Sequence, residues 1–221
     1  MYKTRNLIKK SFLAVLLVLF SAIFFSCSNN APELNNAKLS IIFDYETYDS
    51  FPTARLSIFV EANSNPRRFE SIYVSSNQNE LVWDARDLVL AESKEFTYCG
   101  TTNLVMPQKE IIPAGEYTIV FCQSDEEQQE IKTVLNYDKE LYETKGKDAP
   151  SVMQRFTCSR MITIYDEQKK ILYYGPRSQS LNDSRGIWNE YREAAEFQES
   201  WVNATSTIIC NMPVEKVSPD N

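Results

Sequence analysis

The chain has 221 residues, 43% hydrophobic and 24% charged, with a net charge of −7; this is ordinary for one large or two small globular domains and excludes a disordered or fibrous chain. It contains no histidine, so Ser-His-Asp and Cys-His catalysis, His-ligated zinc and a His-ligated haem are absent by inventory. Its 5 glycines form neither G-x-G-x-x-G nor G-x-x-x-x-G-K-[ST], and G-x-S-x-G and S-x-x-K are missing too, which removes the dinucleotide, P-loop and readable serine-hydrolase signatures.

Residues 1–26 fall into three parts: a basic start with Lys3, Arg5, Lys9 and Lys10, an apolar run over 12–25, and small residues around Cys27. That order predicts a secretory signal. The apolar run is shorter than the ~20 residues a membrane-crossing helix needs, and a polar stretch follows at once. The segment Ile23-Phe24-Phe25-Ser26-Cys27 resembles the lipobox of bacterial lipoproteins, in which a small residue precedes a cysteine that is lipidated and becomes the mature N-terminus. Phe24 and Phe25 depart from the common pattern and resemble the relaxed lipoboxes of spirochaetal lipoproteins. The resemblance implies lipidation at Cys27, attachment to the membrane through the N-terminal lipid and, since Ser28 is not the Asp that retains some lipoproteins at the inner membrane, an outer-membrane location. Loss of residues 1–26 removes four basic and no acidic residues and takes the net charge to −11. Such an acidic body argues against nucleic acid as a partner.

Residues 27–37 read as a polar tether. From residue 38 short apolar runs are broken by turn residues: 39–45, 54–62, 69–75 and 81–84. Leu56, Ile58 and Val60 alternate with Ser57 and Phe59, the period of two that predicts a sheet buried on one face. Residues 112–122 then open at a Pro113/Gly115 corner with Tyr117 two residues beyond the glycine, and with 131–137 they predict a hairpin. This G-x-Y-x-I pattern resembles the tyrosine corner of immunoglobulin-like sandwiches, where the Tyr hydroxyl ties the corner to upstream backbone. The resemblance implies an immunoglobulin-like β-sandwich over 38–138, with Tyr117, Ile119 and Phe121 facing the core and Cys122 facing away. The fold class expected for the whole chain is mainly β, such a sandwich followed by a smaller hairpin and helix unit.

Residues 139–150 read as a charged linker and 151–221 as that second unit. Within it, 152–158 predicts a strand; 161–165 and 170–174 predict a hairpin around Asp166-Glu167-Gln168-Lys169; 177–186 predicts a polar loop; and 187–202 predicts an amphipathic helix capped by Asp183 or Ser184. Residues 207–210 could return as an edge strand.

Trp188, Tyr191 and Trp201 would share one face of that helix, either packed on the second hairpin or presented as an interaction surface. The even count of Cys99, Cys122, Cys158 and Cys210 permits two disulfides in an exported protein, with buried thiols as the alternative. Asp125, Glu126, Glu127 and Glu130 crowd one turn without calcium-loop spacing and read as a solvated turn. No catalytic residue, metal or cofactor is expected. The functional expectation is a membrane-anchored, non-enzymatic binding or structural module that engages another envelope protein, a glycan or a host molecule. A histidine-free carboxylate hydrolase and a small-ligand carrier with a cavity beneath Trp188 and Tyr191 are the alternatives.

Overall fold

The computed structural model describes residues 34–62, 69–78, 80–92, 97–107, 110–123 and 128–218. Cys27 and its lipobox, and Asp125, Glu126 and Glu127, lie outside the described residues. Two sheets form a mainly β sandwich. The smaller has the order β4-β3-β7-β8, with β3 Phe69–Ser76, β4 Val82–Ala85, β7 Gly115–Gln123 and β8 Gln128–Leu135. The larger has eight strands in the order β10-β9-β11-β12-β1-β2-β6-β5. Its first half in sequence is β1 Leu34–Asp44, β2 Thr53–Ala62, β5 Val89–Glu92 and β6 Thr97–Val105. Its second half is β9 Cys158–Tyr165, β10 Ile171–Pro176, β11 Glu196–Asn203 and β12 Ile208–Lys216.

The period of two explains why these segments are strands. In β1, Leu39, Ile41 and Phe43 are buried every second residue; Leu56, Ile58 and Val60 of β2 do the same, and the antiparallel register sets Ile41 beside Leu56. Opposite them Ile72 and Val74 of β3 and Tyr117, Ile119 and Phe121 of β7 close the main core, as two inner faces of a sandwich require. Cys122 is half-buried on the other face of β7. The Tyr117 hydroxyl donates to the Pro113 carbonyl at 2.7 Å, which is the tie of a tyrosine corner. Gly115 opens β7 at φ +138°, a conformation that a side chain would strain.

The large sheet continues across residue 138. β12 pairs in parallel with β1, Ile41 beside Ile208 and Phe43 beside Cys210, so Ile208, Cys210 and Met212 complete the main core. Residues 139–150 are ordered against the same core rather than a bare linker. Lys139–Glu143 is a 3₁₀ turn capped by Asp138, and helix α1, Ala149–Met153, buries Ala149, Val152 and Met153. The expected strand at 152–158 is thus corrected: Pro150 sits in the first turn of α1, where its missing N–H costs nothing.

The expected helix at 187–202 is corrected as well. Helix α2 covers only Ser184–Glu190, capped by the Asp183 carboxylate, which accepts from the Gly186 amide at 2.7 Å. After a short turn over 191–195 the run continues as β11, in which Phe197, Ser200 and Val202 are buried. Ile162, Ile164 and Phe197 form a second core under Leu181, Ile187 and Ala194. The register carries Phe197 beside Ile164, Trp201 beside Arg160 and Cys210, and Cys210 beside Phe43. Directly paired residues share a sheet face. Both cores therefore lie on one face of the eight-stranded sheet, the first under the small sheet and the second under α2.

Candidate binding cleft

Between the end of β8 and the β11–β12 turn the structure opens into a recess of about 720 Å³, bordered also by Phe156 just beyond α1. Its first wall is the β11–β12 turn. Asn203 ends β11 and shapes the turn from within: its side-chain oxygen accepts from the Thr207 and Ile208 amides at 2.8 and 3.0 Å, and its amide nitrogen donates to the hydroxyls of Thr205 and Thr207, each at 3.0 Å. Those hydroxyls lie 2.9 Å from each other. Ser206 takes φ +54° to close the turn, and its carbonyl accepts from Ser40 of β1 at 2.7 Å. The facing wall is residues 136–139, where the chain leaves the small sheet. Tyr137 is buried, its hydroxyl donates to the Ile112 carbonyl and its ring meets Phe43 edge-on at 5.9 Å. Burial holds this hydroxyl above the ordinary phenol range. Asp138 accepts from the Glu140 amide at 2.9 Å. Asn136 and Lys139 are exposed. Both walls are thus held by backbone and core contacts, as a preformed site requires.

Sequence reasoning singled out none of these cleft residues. They come from the end of β8, the segment after α1 and a turn more than sixty residues beyond β8, and the parallel β1–β12 pairing brings them together. Asn203 with threonines two and four residues on is a local turn signal, yet it carries no mark of a ligand site.

The aromatic trio expected on one helix face is dispersed. Trp188 lies on α2 with the Arg192 guanidinium 3.7 Å above its ring. Tyr191 packs on Tyr173 beside the second core, ring centres 5.7 Å apart. Trp201 is on β11 against the main core, with Arg160 5.9 Å from its ring. The space beside Trp188 is a separate groove of about 570 Å³ bordered by Asp166, Glu167, Arg192, Glu193 and Lys216, a charged surface rather than an apolar cavity.

All four described cysteines are free thiols, which corrects the expected disulfides. Cys158 and Cys210 sit on β9 and β12 with β11 between them, so their Cα atoms are about 9.5 Å apart or more, beyond the ~7 Å a disulfide can bridge. Cys99 is on β6, three strands from β12, and Cys122 faces away from the large sheet. Burial pushes the Cys99 thiol up to about 11 and the Cys210 thiol up to about 12.

Two carboxylates of the large sheet are paired with arginine, one on each face. Glu199 accepts from Arg160 at 2.5 and 2.7 Å and from the buried Arg177. On the opposite face Asp44 pairs with Arg55 at 2.6 Å and accepts from Asn211 at 2.8 Å. Glu130 is exposed on β8 with Lys132 4.0 Å away. Among the described residues no three Cys, Asp or Glu side chains converge as metal ligands, and no helix is long and apolar enough to cross a membrane.

The strand order and the two cores define the class: a two-sheet β-sandwich protein with one extended, mixed sheet. No protein-family model matches the chain, and no curated protein matches it. Among solved structures, a chain from the crystal structure of Dpr11 IG1 bound to DIP-gamma IG+IG2 is similar at 8% identity and a TM-score of 0.24, covering 83% of this chain and 98% of that one. The sandwich class rests on the sheet order and the core packing.

Proposed function

We propose that this chain is a lipid-anchored envelope protein, attached through Cys27 and placed at the outer membrane, that works as a binding module through the cleft between β8 and the β11–β12 turn. The cleft carries the reading: it is a recess of about 720 Å³ whose walls come from separate parts of the chain and are each fixed by hydrogen bonds between side chains and backbone. Pockets of this size and rigidity suit a bound group. A carboxylate hydrolase is the weaker reading, because it needs two carboxyl groups facing each other across an open cleft. Glu199 and Asp44 instead lie on opposite faces of the large sheet, each paired with arginine.

Two measurements test the proposal. Cys27→Ala should abolish fatty-acid labelling and detergent-phase partitioning, and unchanged labelling would remove the anchor. Capture from intact envelopes should retain a component that is lost when Asn136→Arg and Thr205→Arg fill the cleft. Retention indifferent to those substitutions would remove the cleft from the reading.

A further inference from the structure

We infer that the cleft takes a neutral saccharide. The inference rests on the binding-module reading above and names its ligand class. The argument begins with proton counting at the β11–β12 turn. The hydroxyls of Thr205 and Thr207 each accept from the Asn203 amide nitrogen and share one hydrogen bond between them. A hydroxyl has one proton and two lone pairs. Whichever threonine donates to the other, the acceptor has then used both lone pairs and keeps its proton, while the donor keeps one lone pair. One donor and one acceptor therefore remain, side by side and held by the turn. A ligand that satisfies both must itself donate and accept at neighbouring positions, as adjacent hydroxyls of a sugar do.

The facing wall has the same mixed character. Asn136 is exposed and offers an amide with two donor protons and a carbonyl oxygen. Asp138 and Lys139 stand next to each other with opposite charges, so the cleft has no net charge with which to select an anion or a cation. Phe156 supplies the apolar component: half-buried, it packs against the main core and also borders the recess. An aromatic side chain at the edge of the recess can pack against the C–H face of a pyranose ring. An apolar ligand would leave the threonine proton and the Asn136 amide without water or a partner, which is unfavourable.

The test uses the full-length protein in detergent micelles and three neutral probes, N,N′-diacetylchitobiose, cellobiose and maltotriose, observed by saturation-transfer NMR and titration. At least one probe is expected to bind. Thr205→Val and Asn136→Ala should each weaken that binding about 5- to 10-fold, the effect of losing one ligand hydrogen bond. Both positions are exposed, and an unchanged thermal midpoint confirms that the fold is kept. Saturation transfer from none of the three probes, or binding that neither substitution weakens, overturns the saccharide. Cleft-dependent envelope capture that persists in that case keeps the binding module and discards only its ligand class.

Discussion

The Tyr117 hydroxyl donates to the Pro113 carbonyl at 2.7 Å from a fully buried residue, so one phenol fixes where the β7 strand begins. Tyr117→Phe keeps the ring and removes the bond; it should cost about 1 kcal/mol, read as a lower urea midpoint at unchanged slope. An unchanged midpoint would mean that the corner is held by ring packing alone. Burial also makes several groups reluctant to ionise. The phenols of Tyr45, Tyr117 and Tyr137 and the thiols of Cys99 and Cys210 are all raised above their ordinary values, with desolvation the main cause. A group raised on folding contributes its full stability below the unfolded value and loses it as pH climbs towards the folded one. The unfolded chain releases thiol protons from about pH 8.5 and phenolic protons from about pH 10, while the folded chain keeps both. Stability should therefore decline above about pH 9 and more steeply above about pH 10, and a urea midpoint flat from pH 9 to 11 would contradict this burial. The same burial orders thiol reactivity. In the native protein near pH 8, Cys122 and Cys158 should alkylate before Cys99 and Cys210, as mass spectrometry of the labelled chain can show.

Helix α2 is short, and its start depends on two residues. Asp183 caps it through the Gly186 amide, and a Cβ on Gly186 would stand 2.1 Å from the Ser180 carbonyl oxygen. Asp183→Ala should cost about 1 kcal/mol. Gly186→Ala should cost more, because the backbone of the 3₁₀ turn before the helix must move, and the two thermal midpoints should rank in that order. This element also shows what the sequence could disclose. The strands of the main core were legible because Leu39, Ile41, Phe43 and Leu56, Ile58, Val60 alternate with outward-facing neighbours, a local pattern that burial on one face imposes. The tyrosine corner was legible from five residues. Residues 187–202 misled because Ile187, Trp188, Tyr191, Ala194 and Ala195 do fit a helical stripe, and Trp201 and Val202 extend it by coincidence of spacing. In the fold the second half pairs with β9 and β12, and tertiary pairing overrides so weak a local preference. β5 and β6 were missed for the opposite reason: Cys99, Gly100, Thr101 and Thr102 show no clean alternation, since β6 is set by pairing with β2. The cleft was the least legible feature, because a site assembled from residues 136–139, Phe156 and the β11–β12 turn has no linear signature.

At the scale of the whole molecule, β1 sits near the middle of the eight-stranded sheet, with β2 on one side and β12 on the other. A chain ending at residue 138 would keep all the strands of the small sheet yet expose one edge of β1, and it would take Ile208, Cys210, Met212, Leu141, Val152 and Met153 out of the main core. Removing a single buried Ile, Leu or Met side chain costs about 2–5 kcal/mol, against a total domain stability of about 5–15 kcal/mol. Three such losses already reach that total, and an open edge beside exposed apolar residues favours association over folding. Residues 28–138 expressed alone should therefore fail to unfold cooperatively and should aggregate, while residues 28–218 should show one transition by far-ultraviolet and near-ultraviolet circular dichroism alike. A cooperative transition in the shorter chain would mean that the sandwich is complete without β12. Two separate transitions in the longer chain would mean that the parallel β1–β12 pairing does not couple the two cores into one folding unit.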